Sequence, residues 1–318
     1  MASATTSVAA VLSALSGRDF LSSADASAQQ TAALLELATQ LKTGDRRIDL
    51  GNRVLGLIFT KASTRTRVSF QVAMARLGGQ TVDLNPQVTQ LGRGEPLEDT
   101  ARVLSRFCDV LAIRTFAQQE LADYAHWASI PVINALTDLE HPCQALADFL
   151  TMQEAFGDLS GQTLAYVGDG NNVAHSLMLC GALLGVNVRI GCPEGFEPLP
   201  GVLDQARSLA VNGAEISVTS DPVAAVRCAQ ALYTDVWASM GQEQEQAERQ
   251  QAFKDFCLND ELLSEADAKA IVLHCLPAHR GEEISAGVME GPASRIFDQA
   301  ENRLHAQQAL LAALLGGL

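Results

Sequence analysis

The stretch that decides the fold is RVLGLIF at 53–59, followed by KASTRTRVSFQVAMARLGG at 61–79. The first part is a short apolar run typical of a buried strand. In the second part, apolar residues recur at helical spacing until two glycines end the pattern. Ser63 to Arg67 therefore lie at a junction between a strand and a helix. In open α/β sheets, ligands bind at the edge where such junctions lie.

The same alternation of strand and helix patterns continues along the chain. We predict strands at 53–59, 81–84, 110–114 and 131–135 in the first half, and at 163–168, 187–192, 215–220, 231–237 and 270–277 in the second. Helical patterns fill the intervals, which implies parallel sheets covered on both faces. The predicted fold class is α/β, with two doubly wound domains, each a parallel sheet flanked by helices and joined by long helices.

A length of 318 residues exceeds what one hydrophobic core usually supports, so we expect two domains with a cleft between them. We place the first domain at 1–140, a connecting helix at 141–157 and the second domain at 158–301. A final apolar helix, 302–318, is expected to pack back on the first domain. Near the N-terminus, residues 19–43, with Asp25 and Ser27 as possible caps, are predicted to form an amphipathic helix that ends at Gly44.

Composition excludes several classes of function. The formal net charge of −15, from 37 acidic against 22 basic residues, repels nucleic acid and anionic membrane surfaces. The seven cysteines are scattered and never spaced as CxxC, which favours reduced thiols over disulfides or a zinc ribbon. No signal-peptide pattern or long apolar run is recognisable. We therefore expect an untargeted, soluble cytoplasmic chain.

The segment STRTR at 63–67 has the composition of a phosphate site. It combines three hydroxyls, two guanidinium groups and the N–H groups of a first helical turn, all of which favour an anion with several oxygens. The alternative is that Ser63 is a helix N-cap and the arginines are solvated surface charge.

The segment HPCQ at 141–144 follows a predicted strand and opens the connecting helix. His141 and Gln144 should point to the edge of the first sheet where ligands bind, and Arg114 ends a neighbouring strand there. The alternative for His141 is a capping or core histidine.

Two loops of the second half carry polar groups suited to an amino acid. GDGNN at 168–172 invites a dinucleotide interpretation, but Val173 replaces the third glycine of GxGxxG and no acidic residue closes the next strand. Asn172 instead offers an amide, or else caps a helix. DVWASMG at 235–241 places Asp235 at a strand end before a polar loop, although capping and packing remain alternatives for its residues.

HCLP at 274–277 ends the last predicted strand. A buried thiol such as that of Cys275 is usually a small hydrophobic group. A zinc site made of His141, Cys143, His274 and Cys275 is conceivable, but adjacent residues of a strand point to opposite faces. We expect no metal.

Taken together, STRTR, Arg114, HPCQ, DGNN, DVWASMG, HCLP and AENR at 300–303 stand in the order seen in the ornithine carbamoyltransferases. The resemblance spans about residues 53–303. Aspartate carbamoyltransferases carry an HPLP-like element instead of HCLP, so HCLP and SMG favour ornithine. Thr60 and Ala62 depart from the Glu and Pro common in this family and leave the phosphate ligands intact.

The resemblance implies roles for individual residues. Carbamoyl phosphate would be bound by Ser63, Thr64, Arg65, Thr66, Gln90, Arg114, His141, Gln144, Cys275, Leu276 and Arg303, with Gln90 reaching a neighbouring subunit. Ornithine would be bound by Asn172, Asp235, Ser239 and Met240. The residues expected at the reacting atoms are Arg114, His141, Cys275, Arg303 and Asp235. The family uses no cofactor and forms trimers with shared active sites.

The expected activity is therefore transfer of the carbamoyl group of carbamoyl phosphate to the δ-amine of L-ornithine, which gives L-citrulline and phosphate in arginine biosynthesis. A Cys275 thiolate could attract the ornithine ammonium. Three alternatives remain: a carbamoyltransferase for another amine such as putrescine or an N-acylated ornithine, a non-catalytic ligand-binding protein with this fold, and a nicotinamide-dependent dehydrogenase suggested by GDGNN.

Overall fold

The computed structural model describes residues 7–85, 94–238 and 246–318. The chain forms two compact units, one made of Met1–Ala147 with Arg303–Leu318 and the other of Asp148–Asn302. The chain passes from the first unit to the second within helix α6 (Pro142–Phe156) and returns within helix α13 (Ile296–Leu314).

The first unit is built on a parallel sheet whose strands, within the described residues, have the order β2-β1-β3-β4. These strands are β1 (Val54–Phe59), β2 (Gln80–Leu84), β3 (Val110–Arg114) and β4 (Val132–Leu136). Its helices are α1 (Val8–Leu12), α2 (Ala28–Thr43), α3 (Arg65–Arg76), α4 (Leu97–Leu104) and α5 (Gln118–Trp127), with the adjoining parts of α6 and α13.

Strand β1 lies inside this sheet and is buried along most of its length. A Cβ at Gly56 would lie 2.7 Å from Cδ2 of Leu111 on β3, so a larger residue there would force the Leu111 side chain to move. Helix α2 begins at a capping box formed by Ser27 and Gln30 and ends at Gly44, whose φ of 82° suits glycine.

The second unit contains a parallel sheet with the strand order β7-β6-β5-β8-β9. The strands are β5 (Thr163–Val167), β6 (Asn187–Gly191), β7 (Ile216–Thr219), β8 (Ala231–Thr234) and β9 (Ile271–His274). Its helices are α7 (Asn172–Leu184), α8 (Pro200–Leu209), α9 (Pro222–Val226), α10 (Gln246–Ala252), α11 (Asp260–Ser264) and α12 (Ala286–Met289).

The strand orders explain why distant sequence motifs meet. In the first unit β1, β3 and β4 are neighbours, so the segments after their carboxyl ends emerge at one edge. In the second unit β5, β8 and β9 are neighbours, and the loops that follow them also share an edge. These two edges carry the predicted motifs.

The predicted fold class is confirmed, since both sheets are parallel and flanked by helices. The predicted helix 19–43 is wrong in its first part, because Phe20 pairs with β4 and its N–H donates to Val132 O at 2.8 Å. Helix α13 starts at Ile296, six residues before the predicted start at residue 302, so the AENR motif lies inside it.

Among the described residues, none of the helices has both the length and the apolar composition needed to cross a bilayer.

Candidate active site

The STRTR segment opens helix α3 in the first unit. The N-cap position is Thr64, and its side chain makes no capping hydrogen bond, so Ser63 is not the N-cap that the alternative interpretation required. The Thr64 hydroxyl therefore does not cap the first turn of α3. Nη1 of Arg114 lies 3.5 Å from Oγ of Ser63, which connects the end of β3 to the start of α3.

Arg303 brings the C-terminal helix to the same place. Its Nη2 donates to Oγ1 of Thr66 at 2.6 Å, although the two residues are 237 positions apart. Both side chains are almost fully buried. A buried guanidinium needs an anionic or strongly polar partner, because desolvation of a charge is costly. Oγ1 of Thr66 is one polar partner of this guanidinium.

His141 is buried among three guanidinium groups. Burial is the largest cause that lowers the pKa of His141 well below its ordinary value of 6.5. Three positive charges lower this pKa further, and in order of effect they belong to Arg303, Arg114 and Arg65. The imidazole is therefore neutral at neutral pH and can donate one hydrogen bond to a bound oxygen without adding charge.

The rest of HPCQ lies in the first turn of α6. Gln144 is buried, and its N–H donates to the carbonyl of His141 at 3.0 Å. Cys143 is fully buried, its Sγ lies 3.4 Å from the carbonyl oxygen of Asn134, and burial raises the pKa of its thiol to about 12. Cys143 is therefore a core residue and not a ligand.

In the second unit, Asp235 follows β8 and accepts hydrogen bonds from two other loops. Its Oδ2 accepts from Nδ2 of Asn171 at 3.1 Å, and its Oδ1 accepts from Sγ of Cys275 at 3.0 Å. Asp235 is buried, and these two hydrogen bonds fix the position of its carboxyl group at the sheet edge. Such a group suits the ammonium of an amino acid.

Cys275 is a thiol in this environment. Burial raises the pKa of the Cys275 thiol well above its ordinary value of 9.0, and the neighbouring charges of Asp235 and Asp148 raise it further. The expectation of a Cys275 thiolate is therefore wrong, because a second negative charge beside Asp235 is disfavoured. The S–H group instead donates to the Asp235 carboxylate.

Asn171 and Asn172 have different positions at the start of α7. Asn171 is the N-cap of α7, with Oδ1 accepting from the N–H groups of Val173 and Ala174. Asn172 is the first residue of the helix and is partly exposed. The capping role considered for Asn172 therefore belongs to Asn171. Asn171 also contacts Asp235, a role that the sequence analysis missed, although its position before a helix was a recognisable capping signal.

The GDGNN loop has no room at Gly170 for a dinucleotide phosphate. A Cβ on Gly170 would lie 2.2 Å from the backbone nitrogen of Pro198, and the Gly170 N–H donates to Phe196 O at 2.9 Å. This glycine therefore allows another segment of the same chain to approach closely. In dinucleotide-binding loops, the equivalent freedom serves the pyrophosphate.

A buried ion pair holds the same loop and was not foreseen. Nη1 of Arg249 on α10 lies 2.8 Å from Oδ2 of Asp169, and it also donates to the carbonyl of Trp237 at 2.8 Å. Isolated Asp and Arg residues 80 positions apart carry no local sequence signal for such a pair.

Three predicted residues, Gln90, Ser239 and Met240, lie outside the described residues. Within the part of the chain that is described, two groups of side chains have a spacing that could suit a metal. In one, Asp235, His274 and Cys275 already bond to protein groups, and the other, His279, Glu282 and Glu283, is partly at the surface. Neither group contains His141 or Cys143.

The fold and site define an α/β protein of two units, one with three guanidinium groups near a buried histidine and one with a buried carboxyl group that accepts hydrogen bonds from two loops. The sequence model described as "Aspartate/ornithine carbamoyltransferase, carbamoyl-P binding domain" matches residues 18–154. The one described as "Aspartate/ornithine carbamoyltransferase, Asp/Orn binding domain" matches residues 160–314. The chain belongs to the aspartate/ornithine carbamoyltransferase family.

Two relatives of known name are similar to this chain over almost its whole length. The ornithine carbamoyltransferase of Parasynechococcus marenigrum is 83% identical over 318 residues, which cover 100% of both chains. That of Nostoc punctiforme is 61% identical over 305 residues, which cover 96% of this chain and 99% of the relative. The predicted resemblance is thus confirmed.

Solved structures of ornithine carbamoyltransferases also resemble this fold. The crystal structure of ornithine carbamoyltransferase from Gloeobacter violaceus matches with a TM-score of 0.86 at 58% identity, covering 93% of this chain and 98% of that chain. The ornithine carbamoyltransferase of Pyrococcus furiosus matches with a TM-score of 0.91 at 48% identity, covering 96% and 99%.

Proposed function

We propose that this protein transfers the carbamoyl group of carbamoyl phosphate to the δ-amine of L-ornithine, giving L-citrulline and phosphate. The observation that carries the proposal is the convergence of Arg65, Arg114 and Arg303 around a neutral, buried His141 in the first unit. The choice of ornithine is supported by the relatives, which are named ornithine carbamoyltransferases, and by Asp235 beside Cys275.

The first unit is proposed to hold carbamoyl phosphate. Ser63, Thr64 and Arg65 and the first-turn N–H groups of α3 would bind the phosphate oxygens, because a helix N-terminus and a guanidinium both favour an anion. Arg114, His141, Thr66, Gln144 and Arg303 would surround the carbamoyl end. Gln90, from a neighbouring subunit, completes the phosphate site in this proposal.

The second unit is proposed to hold ornithine. Asn172, Asp235, Ser239 and Met240 would bind its amino-acid head, since a carboxylate pairs with an α-ammonium and amides accept and donate hydrogen bonds. Cys275 and the carbonyl of Leu276 would face the δ-amine. The S–H of Cys275 and the charge of Asp235 make this end of the site polar without a thiolate.

The chemistry is acyl transfer. The neutral δ-amine attacks the carbamoyl carbon, a C–N bond forms, the C–O bond to phosphate breaks, and the amine releases one proton. Positioning and stabilisation of the developing negative charge are the contributions required of the protein. A neutral His141 would donate a hydrogen bond to the carbonyl oxygen, where Arg114 and Arg303 stabilise the developing charge, while Arg65 and the start of α3 stabilise the departing phosphate.

The decisive experiment mixes the purified protein with carbamoyl phosphate and, separately, ornithine, aspartate, putrescine or N-acetylornithine, and measures each carbamoylated product. Citrulline from ornithine alone supports the proposal. Product from another amine keeps the carbamoyl phosphate half and overturns the acceptor. No product from any amine favours a non-catalytic binding protein, and phosphate release without amine controls for hydrolysis.

We also propose a homotrimer with active sites shared between subunits. Val68 and Val72 are one turn apart on the exposed side of α3, the helix that opens with the phosphate-binding segment. An exposed apolar pair beside a binding site suits a contact between copies. A second copy docked there would lie close to the phosphate site, where a residue from a neighbour is expected.

A cytoplasmic location and a role in arginine biosynthesis complete the proposal. The seven cysteines form no disulfide, which suits a reducing compartment. The product, citrulline, has a ureido group that a later amination can convert to a guanidine. A strain that lacks the gene should therefore grow only when arginine or citrulline is supplied. Added ornithine should not restore its growth.

A further inference from the structure

The turn after β9 has an unusual backbone. Leu276 has a φ of 60°, in the left-handed region that side chains rarely adopt. Cys275 and Leu276, the residues proposed to meet the δ-amine, form this turn. A conformation that is unfavourable by itself persists only when surrounding contacts impose it.

The side chain of His274 stabilises this backbone conformation of Leu276 from within the turn. The Leu276 N–H donates to Nδ1 of His274 at 2.8 Å, so Nδ1 carries no proton. The proton of the neutral imidazole is then on Nε2, which donates to Oε1 of Glu283 at 3.0 Å. The same carboxylate oxygen accepts the N–H of His279, which lies beyond the turn. One carboxylate therefore holds both sides of the turn.

A contribution to stability does not by itself explain why His274 and Glu283 are paired in the interior. The side chains of His274 and Glu283 are both fully buried, and apolar neighbours such as Leu258 and Ile284 surround the segment. Desolvating a carboxylate is costly, and apolar residues of similar volume commonly replace such pairs without loss of stability. The pair does have a geometric effect, because it selects one tautomer of His274 and so aims the Leu276 backbone.

We propose that Glu283 is a positioning residue for the transfer reaction. Through His274 it fixes the Leu276 backbone and places the Cys275 thiol 3.0 Å from Asp235. Glu283 does not touch substrate itself. The inference rests on the proposed function and adds to it a residue that lies behind the ornithine end of the site.

The test compares Glu283→Leu with Glu283→Gln. Leucine fills the volume but accepts no hydrogen bond, whereas the glutamine oxygen can accept from both His274 and His279. Glu283→Leu is expected to lower kcat by about ten- to a hundredfold and to raise KM for ornithine, because small displacements at a reacting group have effects of this size. KM for carbamoyl phosphate should stay within about twofold, and Glu283→Gln should remain within about threefold of the original protein.

Glu282→Leu is the matched control. It removes the adjacent carboxylate, which lies 3.8 Å from Nδ1 of His279 and does not contact His274. Glu282→Leu should leave kcat and both KM values unchanged. The inference is overturned if Glu283→Leu behaves like Glu282→Leu, or if it weakens both substrates equally. An original protein that makes no citrulline overturns the proposed function and, with it, this inference.

A second measurement does not depend on activity. Site-resolved alkylation by iodoacetamide should modify Cys275 several times faster in Glu283→Leu than in the original protein, while the buried Cys180 and Cys192 of the same unit stay protected. Faster reaction at all three cysteines would indicate unfolding. In that case His274→Phe decides, since it removes both ring nitrogens and keeps the volume. Original kinetics and Cys275 protection in His274→Phe would overturn the inference.

Discussion

At the scale of single residues, the surroundings of a group decide its chemical form. Cys275 stays a thiol, because burial and the neighbouring Asp235 raise its pKa well above the ordinary value of 9.0. His141 shows the reverse case, because burial and three guanidinium groups keep it neutral. The residues of the proposed site therefore combine guanidinium charges with neutral hydrogen-bond donors.

Replacement of Cys275 should change ornithine binding and turnover. We expect Cys275→Ala to raise KM for ornithine and to lower kcat about tenfold or more, because the Asp235 carboxylate loses a donor and the amine loses a contact. Cys275→Ser keeps a donor and should lose less. Steady-state kinetics with each substrate varied in turn measures this.

Cys257→Ala, a half-buried cysteine of the same unit, serves as the control. Unchanged kcat and KM for ornithine in Cys275→Ala would remove Cys275 from the site.

His141 should make stability depend on pH. Its pKa is lowered in the folded protein, so below about pH 6.5 the unfolded chain binds a proton that the folded protein refuses. The stability contribution is present above pH 6.5 and is lost as pH falls, at up to about 1.4 kcal/mol per pH unit. Urea unfolding at pH 7.0 and 5.5 should show a larger loss for the original protein than for His141→Asn. Equal losses would contradict the lowered pKa.

At the scale of elements, helix N-termini organise both halves of the site. Helix α3 starts at Arg65 without a side-chain cap from Thr64, whereas α7 starts with the strong cap Asn171. In the proposed function the start of α3 would bind an anion, while the start of α7 fixes a loop. The capped helix holds Asp235 in place through the amide of Asn171.

Substitutions of Asn171 and Asn172, at the start of α7, should have different effects on stability and on ornithine binding. Asn171→Ala removes a cap and a partner of Asp235, so it should cost about 1 kcal/mol of stability and also raise KM for ornithine. Asn172→Ala should raise KM for ornithine with a smaller loss of stability. Thermal unfolding and ornithine titration of the two variants distinguish these effects. If Asn172→Ala leaves KM for ornithine unchanged, Asn171 is the binding asparagine.

At the scale of the whole molecule, the proposed trimer predicts that assembly and activity are lost together. Val68→Asp places a charge on the exposed apolar side of α3 and should convert trimers to monomers with little activity. Val103→Asp on α4 is matched in exposure, 48% against 50%, and should leave the assembly intact. Light scattering with size-exclusion chromatography measures the mass. Active monomers of Val68→Asp would contradict shared sites.

Much of this molecule was predictable because its signals are local. The alternation of apolar runs and helical patterns gave the two parallel sheets, and STRTR and HPCQ were correctly placed at strand-to-helix junctions. The errors lie where tertiary contacts override local pattern. Residues 19–27 were predicted as helix, but Phe20 pairs with β4. Arg249 and Glu283 gave no signal, since their importance comes from Asp169 and His274.

The sequence by itself determined the fold class and the order of the motifs, because propensity, periodicity and spacing act over a few residues at a time. The family followed from the resemblance that these motifs carry together. Only the tertiary structure decided that Arg303 meets Thr66, that His141 is neutral, that Cys275 remains a thiol and that Glu283 holds the turn beside it. The physical reason is that desolvation and charge depend on neighbours in space, and the fold brings these neighbours from distant positions in the chain.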